Sequence, residues 1–105
     1  MPSTKNYLDF IIEQLSHTDG ITYRAMMGEY IIYVQGKVAG GIYDDRLLVK
    51  PTPSALRMIP NAPREIPYEG AKEMLLVEDM EDRELLNGLM TAIAGDLPAP
   101  KPKKR

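Results

Sequence analysis

Cysteine is absent from this chain of 105 residues, and histidine occurs once, at His17. Without cysteine there is no disulfide scaffold, no thiol nucleophile and no zinc ribbon or finger. One histidine cannot build a metal site of the His/Cys type. Apolar runs are short as well, and none nears the roughly 18–20 residues that span a bilayer. The opening Met1-Pro2-Ser3-Thr4-Lys5 lacks the basic-then-apolar layout of a secretion signal. No serine sits in a Gly-x-Ser-x-Gly elbow, and no Gly-x-x-x-x-Gly-Lys phosphate loop occurs. These gaps lead to the expectation of a cytoplasmic protein that is not an enzyme, takes no cofactor or metal and does not enter a membrane.

What is present suits a single small domain: 44% hydrophobic and 27% charged residues, with a net charge of -2. That composition is too apolar for a disordered chain. The charge is uneven. Lys101, Lys103, Lys104 and Arg105 hold four of the thirteen positive charges, leaving nine against fifteen acidic residues, or -6, on the body. A body of that sign repels phosphate backbones, so any contact with nucleic acid falls to the tail. The chain therefore divides into a domain over 1–97 and a flexible basic Pro/Lys tail over 98–105.

Tyr7, Leu8, Ile11, Ile12 and Leu15 recur at helical spacing, predicting an amphipathic helix over 4–16 capped by Ser3 or Thr4. From Ile21 to Lys50 the period becomes two. Strands are expected over 21–27, 30–34, 37–43 and 46–50, separated by Gly28-Glu29, Gln35-Gly36 and Asp44-Asp45. Thr52-Pro53 reads as a cap and first turn of a short helix over 53–59. Prolines at 60, 63 and 67 make 60–70 an irregular loop, and a fifth strand follows over 72–77. A last helix starting at Asp79 carries Leu85, Leu86, Leu89, Met90 and Ile93 on one stripe and stops at Gly95. The fold class is α+β, in two layers: an antiparallel sheet of about five strands with the N- and C-terminal helices on one face.

Two-residue hairpins set Val34 opposite Lys37 and Tyr43 opposite Arg46. One face then gathers Ile31, Tyr33, Val38, Gly40, Ile42, Leu47 and Val49, and is expected to take the helices. The other gathers Tyr30, Ile32, Val34, Ala39, Gly41, Tyr43 and Leu48, rimmed by Lys37, Arg46 and Lys50. An apolar centre with a charged rim fits a protein interface, and Tyr30, Ile32, Tyr43 and Leu48 are its candidate contacts. A loop from 51–71 folded over this face, or a register displaced by one residue, would account for the same pattern.

Few residues suggest chemistry. His17 falls where the first helix ends, a favourable structural position. Asp79, Glu81, Asp82 and Glu84 lack the spaced pattern of a calcium loop and suit a helix start. Asp44-Asp45 suits a turn. Gly40-Gly41 sits mid-strand, where glycine marks a bulge or the close approach of another side chain. Met26, Met27, Met74 and Met90 read as core fillers.

The stretch from Tyr23 to Lys37, Tyr-Arg-Ala-Met-Met-Gly-Glu-Tyr-Ile-Ile-Tyr-Val-Gln-Gly-Lys, resembles the signature of the TfoX N-terminal domain family, and Asp45-Arg46-Leu47-Leu48-Val49-Lys50 resembles its continuation. Pro67-Tyr68-Glu69-Gly70-Ala71-Lys72 and the final helix extend the likeness over about 5–97. The resemblance implies the same two-layer α+β fold and a link to regulation of competence genes for DNA uptake. It supplies no catalytic residues. Of the matching positions, Gly28 and Gly36 suit turns and Arg24 a charge pair. The longer relatives act as transcriptional co-regulators and carry a second domain, whereas this chain stops soon after the final helix. The function this leads to is a non-enzymatic protein-interaction module related to competence regulators, possible as a homodimer, with the transcription machinery as one candidate partner. The alternative is a nucleic-acid-associated regulator contacting phosphates through Lys101, Lys103, Lys104 and Arg105.

Overall fold

The computed structural model describes residues 4–98. In it α1 (Lys5–Gln14) leads into four strands, β1 (Ile21–Met26), β2 (Glu29–Val34), β3 (Lys37–Ile42) and β4 (Leu47–Val49). Helix α2 (Pro53–Met58), strands β5 (Arg64–Glu65) and β6 (Met74–Leu76), and helix α3 (Arg83–Asp96) complete the order. The six strands form one antiparallel sheet in the order β1-β2-β3-β4-β6-β5. The expected α+β class holds, with one strand more than foreseen: the Pro-rich loop contributes the two residues of β5. Helix bounds also move, most of all at the start of α3. Asp82, whose carboxylate accepts from Leu85 N, starts α3 in place of Asp79, and the helix passes through Gly95 to Asp96.

Three tight turns drive the meander. Met27-Gly28, Gln35-Gly36 and Asp44-Asp45 all hold positive φ at both central residues, the condition of a type I′ hairpin, whose twist matches that of the strands. The first turn therefore lies one residue earlier than the sequence suggested, with Met26 opposite Glu29. Met27, expected in the core, is 97% exposed at its tip, and Met26 is exposed beside it. The Asp44-Asp45 turn also anchors the start of α1. Asp45 Oδ1 accepts from Thr4 N at 2.9 Å, while Thr4 Oγ1 caps α1 by accepting from Tyr7 N at 3.1 Å.

Pairing of β2 with β3 begins as expected, with Val34 opposite Lys37 and Tyr33 opposite Val38. It then shifts: Ile32 faces Gly40, so Ala39 is an extra residue on β3. Such a bulge turns the alternation of one strand relative to the other. Ile32 and Val34 consequently join Ile42, Leu47 and Val49 in the core under the helices, while Ile31 and Tyr33 alternate to the other side. The sequence expectation had these two pairs of β2 residues reversed. Lys37 moves with them. It reaches the helix side and donates to Ala94 O at 2.9 Å, a cation at the C-terminal end of α3.

The helix layer supplies Leu8, Ile11 and Leu15 from α1 and the following residue, Ala55 from α2, and Leu86, Leu89, Met90, Ile93 and Ala94 from α3. Its ends are capped across the fold. Arg83 donates to Glu13 O and Ser16 Oγ, and Asn87 Nδ2 donates to Gln14 O, covering carbonyls that end α1. At α2, Thr52 Oγ1 accepts from Ala55 N, Pro53 has no N–H, and the Asp96 carboxylate accepts from Ser54 N at 2.7 Å. That last bond holds the Asp96 carboxyl below its ordinary range.

Two outcomes test this architecture. Ile32→Ala should cost about 2–5 kcal/mol in chemical denaturation, and Ile31→Ala clearly less, because only the first leaves a cavity in a closed core. Met27→Asn should raise the melting temperature, gaining about 0.5–1 kcal/mol, since asparagine accepts the left-handed conformation more readily and no packing is lost.

Candidate functional site

The sheet presents two unlike faces. The helices cover one. The other carries Arg24, Ile31, Tyr33 and Val38 on its β1-β2-β3 half, with Ile31, Tyr33 and Val38 half-buried and Arg24 exposed. Towards β4 this open face is partly roofed by the 66–73 loop. Tyr68 lies beside Tyr43 with ring centroids 6.2 Å apart, and Arg46 pairs with Glu65 across the start of β4. Between roof and sheet runs a cleft of about 470 Å³ whose walls include Val38, Tyr43, Lys50, Pro67, Tyr68 and Met74.

Local sequence explains the shape of this cleft. Gly41 has no side chain on the open side, so the Tyr43 ring lies across it; a Cβ there would sit 2.6 Å from that ring. Tyr43 is 8% exposed, and its phenol is raised above the ordinary value of 10.0, first by burial and then by Tyr68 and Glu29. Tyr68 itself is 59% exposed. The result is an aromatic floor with one accessible ring, flanked by the ammonium groups of Lys50 and Lys72 and the carboxylate of Glu73. Such a surface suits binding: apolar and aromatic walls with a few polar groups at the margin.

The four candidate contacts do not form one surface. Ile32 is 0% exposed in the helix-side core, and Tyr30 packs against that core from the same side. Tyr43 and Leu48 lie on the open side, but Leu48 is also 0% exposed. The proposed patch is corrected for two physical reasons: the Ala39 bulge sends Ile32 inward, and the 66–73 loop stands over the Tyr43 end. Ile31, Tyr33 and Val38, assigned to the helix side from the sequence, occupy the open face instead. Only the glycine pair hinted at the bulge that places them there. The tail residues Lys101, Lys103, Lys104 and Arg105 lie outside the described residues. Among those described, no helix is long and apolar enough to cross a membrane.

Comparison with known proteins bears on this arrangement. The TfoX N-terminal domain pattern matches residues 13–93, most of the chain and all six strands of the sheet. The chain belongs to the TfoX N-terminal domain family. It is 34% identical over 105 residues to a protein of Spirochaeta aurantia described as an uncharacterized 12.7 kDa protein in the trpE 5′ region, covering 99% of this chain and 91% of that relative. No solved structure matches. In this TfoX-family domain the matching Gly28 and Gly36 sit at φ of 86 and 81, as turns require. Arg24 makes no ion pair among the described residues; it stands on the open face opposite Ile31. Tyr33 shares that face, and Lys50 lines the cleft. The signature thus marks two hairpin turns and three positions on or beside the uncovered side of the sheet.

Tyr68→Ala should open the cleft floor to water. The Tyr43 phenol should then titrate nearer 10, read as tyrosinate absorbance in an alkaline titration, with the far-ultraviolet circular dichroism unchanged. Burial raises this pKa, so the stability that Tyr43 contributes is present at neutral pH and lost as pH climbs through the raised value. In the variant the folded and unfolded values lie closer together, so this alkaline loss of stability should be smaller than in the parent.

Proposed function

We propose that this TfoX-family domain is a non-enzymatic interaction module of the cytoplasm. It docks a protein of the transcription machinery on the open sheet face and serves the gene regulation with which the family is linked. One observation carries the reading: the half-sheet bearing Arg24, Ile31, Tyr33 and Val38 has no helix over it among the described residues and leads straight into the aromatic cleft at Tyr68. Aromatic rings and an arginine are the side chains most often found to dominate protein interfaces. Ile31 and Tyr33 are half-buried there, with side chains that alternate away from the helix-side core.

The alternative, phosphate contacts by the basic tail, rests on its four positive charges against a body of -6. It predicts a different dependence on salt. Four phosphate contacts would give a log–log slope of roughly -3 to -4, whereas docking on an apolar face depends on salt far less.

The test uses the full chain as bait against purified RNA polymerase and its accessory factors. Tyr33→Glu and Val38→Glu should abolish capture while leaving the melting temperature within a few degrees, and deletion of residues 98–105 should leave capture intact. Capture that survives both glutamate variants removes the open face from the mechanism. DNA binding that the parent shows and the deletion loses would install the tail in its place.

A further inference from the structure

The two edges of the sheet are built differently. β5 is two residues long, both charged, and lies between Pro63 and Pro67. Short length, charge and proline are the devices that stop an edge from pairing with another chain. β1 has six residues, one charge, no proline and no bulge. Its residues from Thr22 to Met26 are all exposed, and no described segment pairs with its outer side.

Hydrogen-bond geometry tells which groups face outwards. The two-residue turn makes Met26 and Glu29 a hydrogen-bonded pair, and Gly20 O accepts from Gln35 N at 2.8 Å further along the same ladder. Even-numbered residues 20, 22, 24 and 26 therefore direct their N–H and C=O towards β2. Ile21, Tyr23 and Ala25 direct theirs outwards, a row of three donors and three acceptors.

We infer that β1 pairs antiparallel with β1 of a second copy of this chain, on a two-fold axis at Tyr23. The choice of occupant and register follows from the residues. In this register Tyr23 faces its own copy as a hydrogen-bonded pair and Ile21 faces Ala25, so all six outward groups of each copy are satisfied. On the helix side apolar residues meet apolar ones, and on the open side Thr22 meets Arg24. No like charges oppose each other. An axis at Arg24 would set two guanidinium groups face to face, which disfavours a sheet pair. An axis at Thr22 would leave Ala25 opposite Asp19. The Tyr23 ring is already placed for the contact: it is 47% exposed and stands edge-on to Tyr30 with centroids 6.1 Å apart. Two such pairs would adjoin across the axis, forming a four-ring cluster on a sheet of twelve strands. A single strand pair buries little area, so the association is weak and concentration-dependent.

Sedimentation equilibrium of the full chain, from about 10 μM to about 1 mM, should show a monomer–dimer equilibrium. Ala25→Pro removes an outward N–H without touching the β1–β2 ladder, and Tyr23→Glu sets two carboxylates together on the axis. Both should remain monomeric throughout, with circular dichroism like the parent. If the proline variant does not fold, the glutamate variant decides, because its site is solvent-exposed. Amide hydrogen exchange should show protection at residues 21, 23 and 25 rising with concentration, while that at 22, 24 and 26 stays constant. A parent monomeric over the whole range overturns the inference. So does a dimer that survives Tyr23→Glu, or one in which the odd-numbered amides exchange freely.

Discussion

One inserted residue in the second hairpin decides which side chains of β2 reach the helices. Ala39 has no counterpart on β2, and past it every residue of that strand is read against the opposite phase of β3. Two glycines make the insertion possible. A Cβ at Gly40 would come within 2.9 Å of the Val49 Cα and closer still to the Leu48 carbonyl. At Gly41 the missing side chain leaves space for the Tyr43 ring. Ala39 is itself retained in the ladder, its carbonyl accepting from Lys50 N at 3.0 Å. The core of Ile32, Val34, Ile42, Leu47 and Val49, the uncovered strip of Ile31 and Tyr33, and the aromatic cleft all descend from this local geometry.

The elements themselves were legible because their signals are local. Thr4 and Thr52 stand at helix starts, the apolar stripes have helical spacing, and the second and third hairpins carry their own turn residues. The turn pairings Val34–Lys37 and Tyr43–Arg46 followed from loop length alone. What escaped was information not carried by any single segment. A bulge costs nothing in composition, and its only trace was a glycine pair that fits several explanations. The strand β5 has just two residues and exists because β6 lies beside it. The fate of Met27 turned on a one-residue displacement of the first turn. For the candidate site, Tyr43 was placed on the correct side. Ile32 was not, since a phase error in a period-two structure sends a side chain to the opposite face.

Long-range polar contacts join the layers at their ends. Asp45 holds the start of α1 across 41 positions of sequence, Arg83 and Asn87 close its end, Lys37 meets the last carbonyls of α3, and Asp96 caps α2. Each bond reaches a backbone group at or beside a helix end. Because these partners are remote in sequence, the helices are oriented on the sheet by more than their apolar stripes. The cross-capping leaves the opposite side of the sheet untouched, and that asymmetry ties one face to the helices and keeps the other clear of them.

The Asp96–Ser54 bond also bears on the cleft. It ties the end of α3 to a residue two positions from Thr52, which stands in the wall of the cleft. The helix layer and the cleft wall are thereby joined through the first turn of α2.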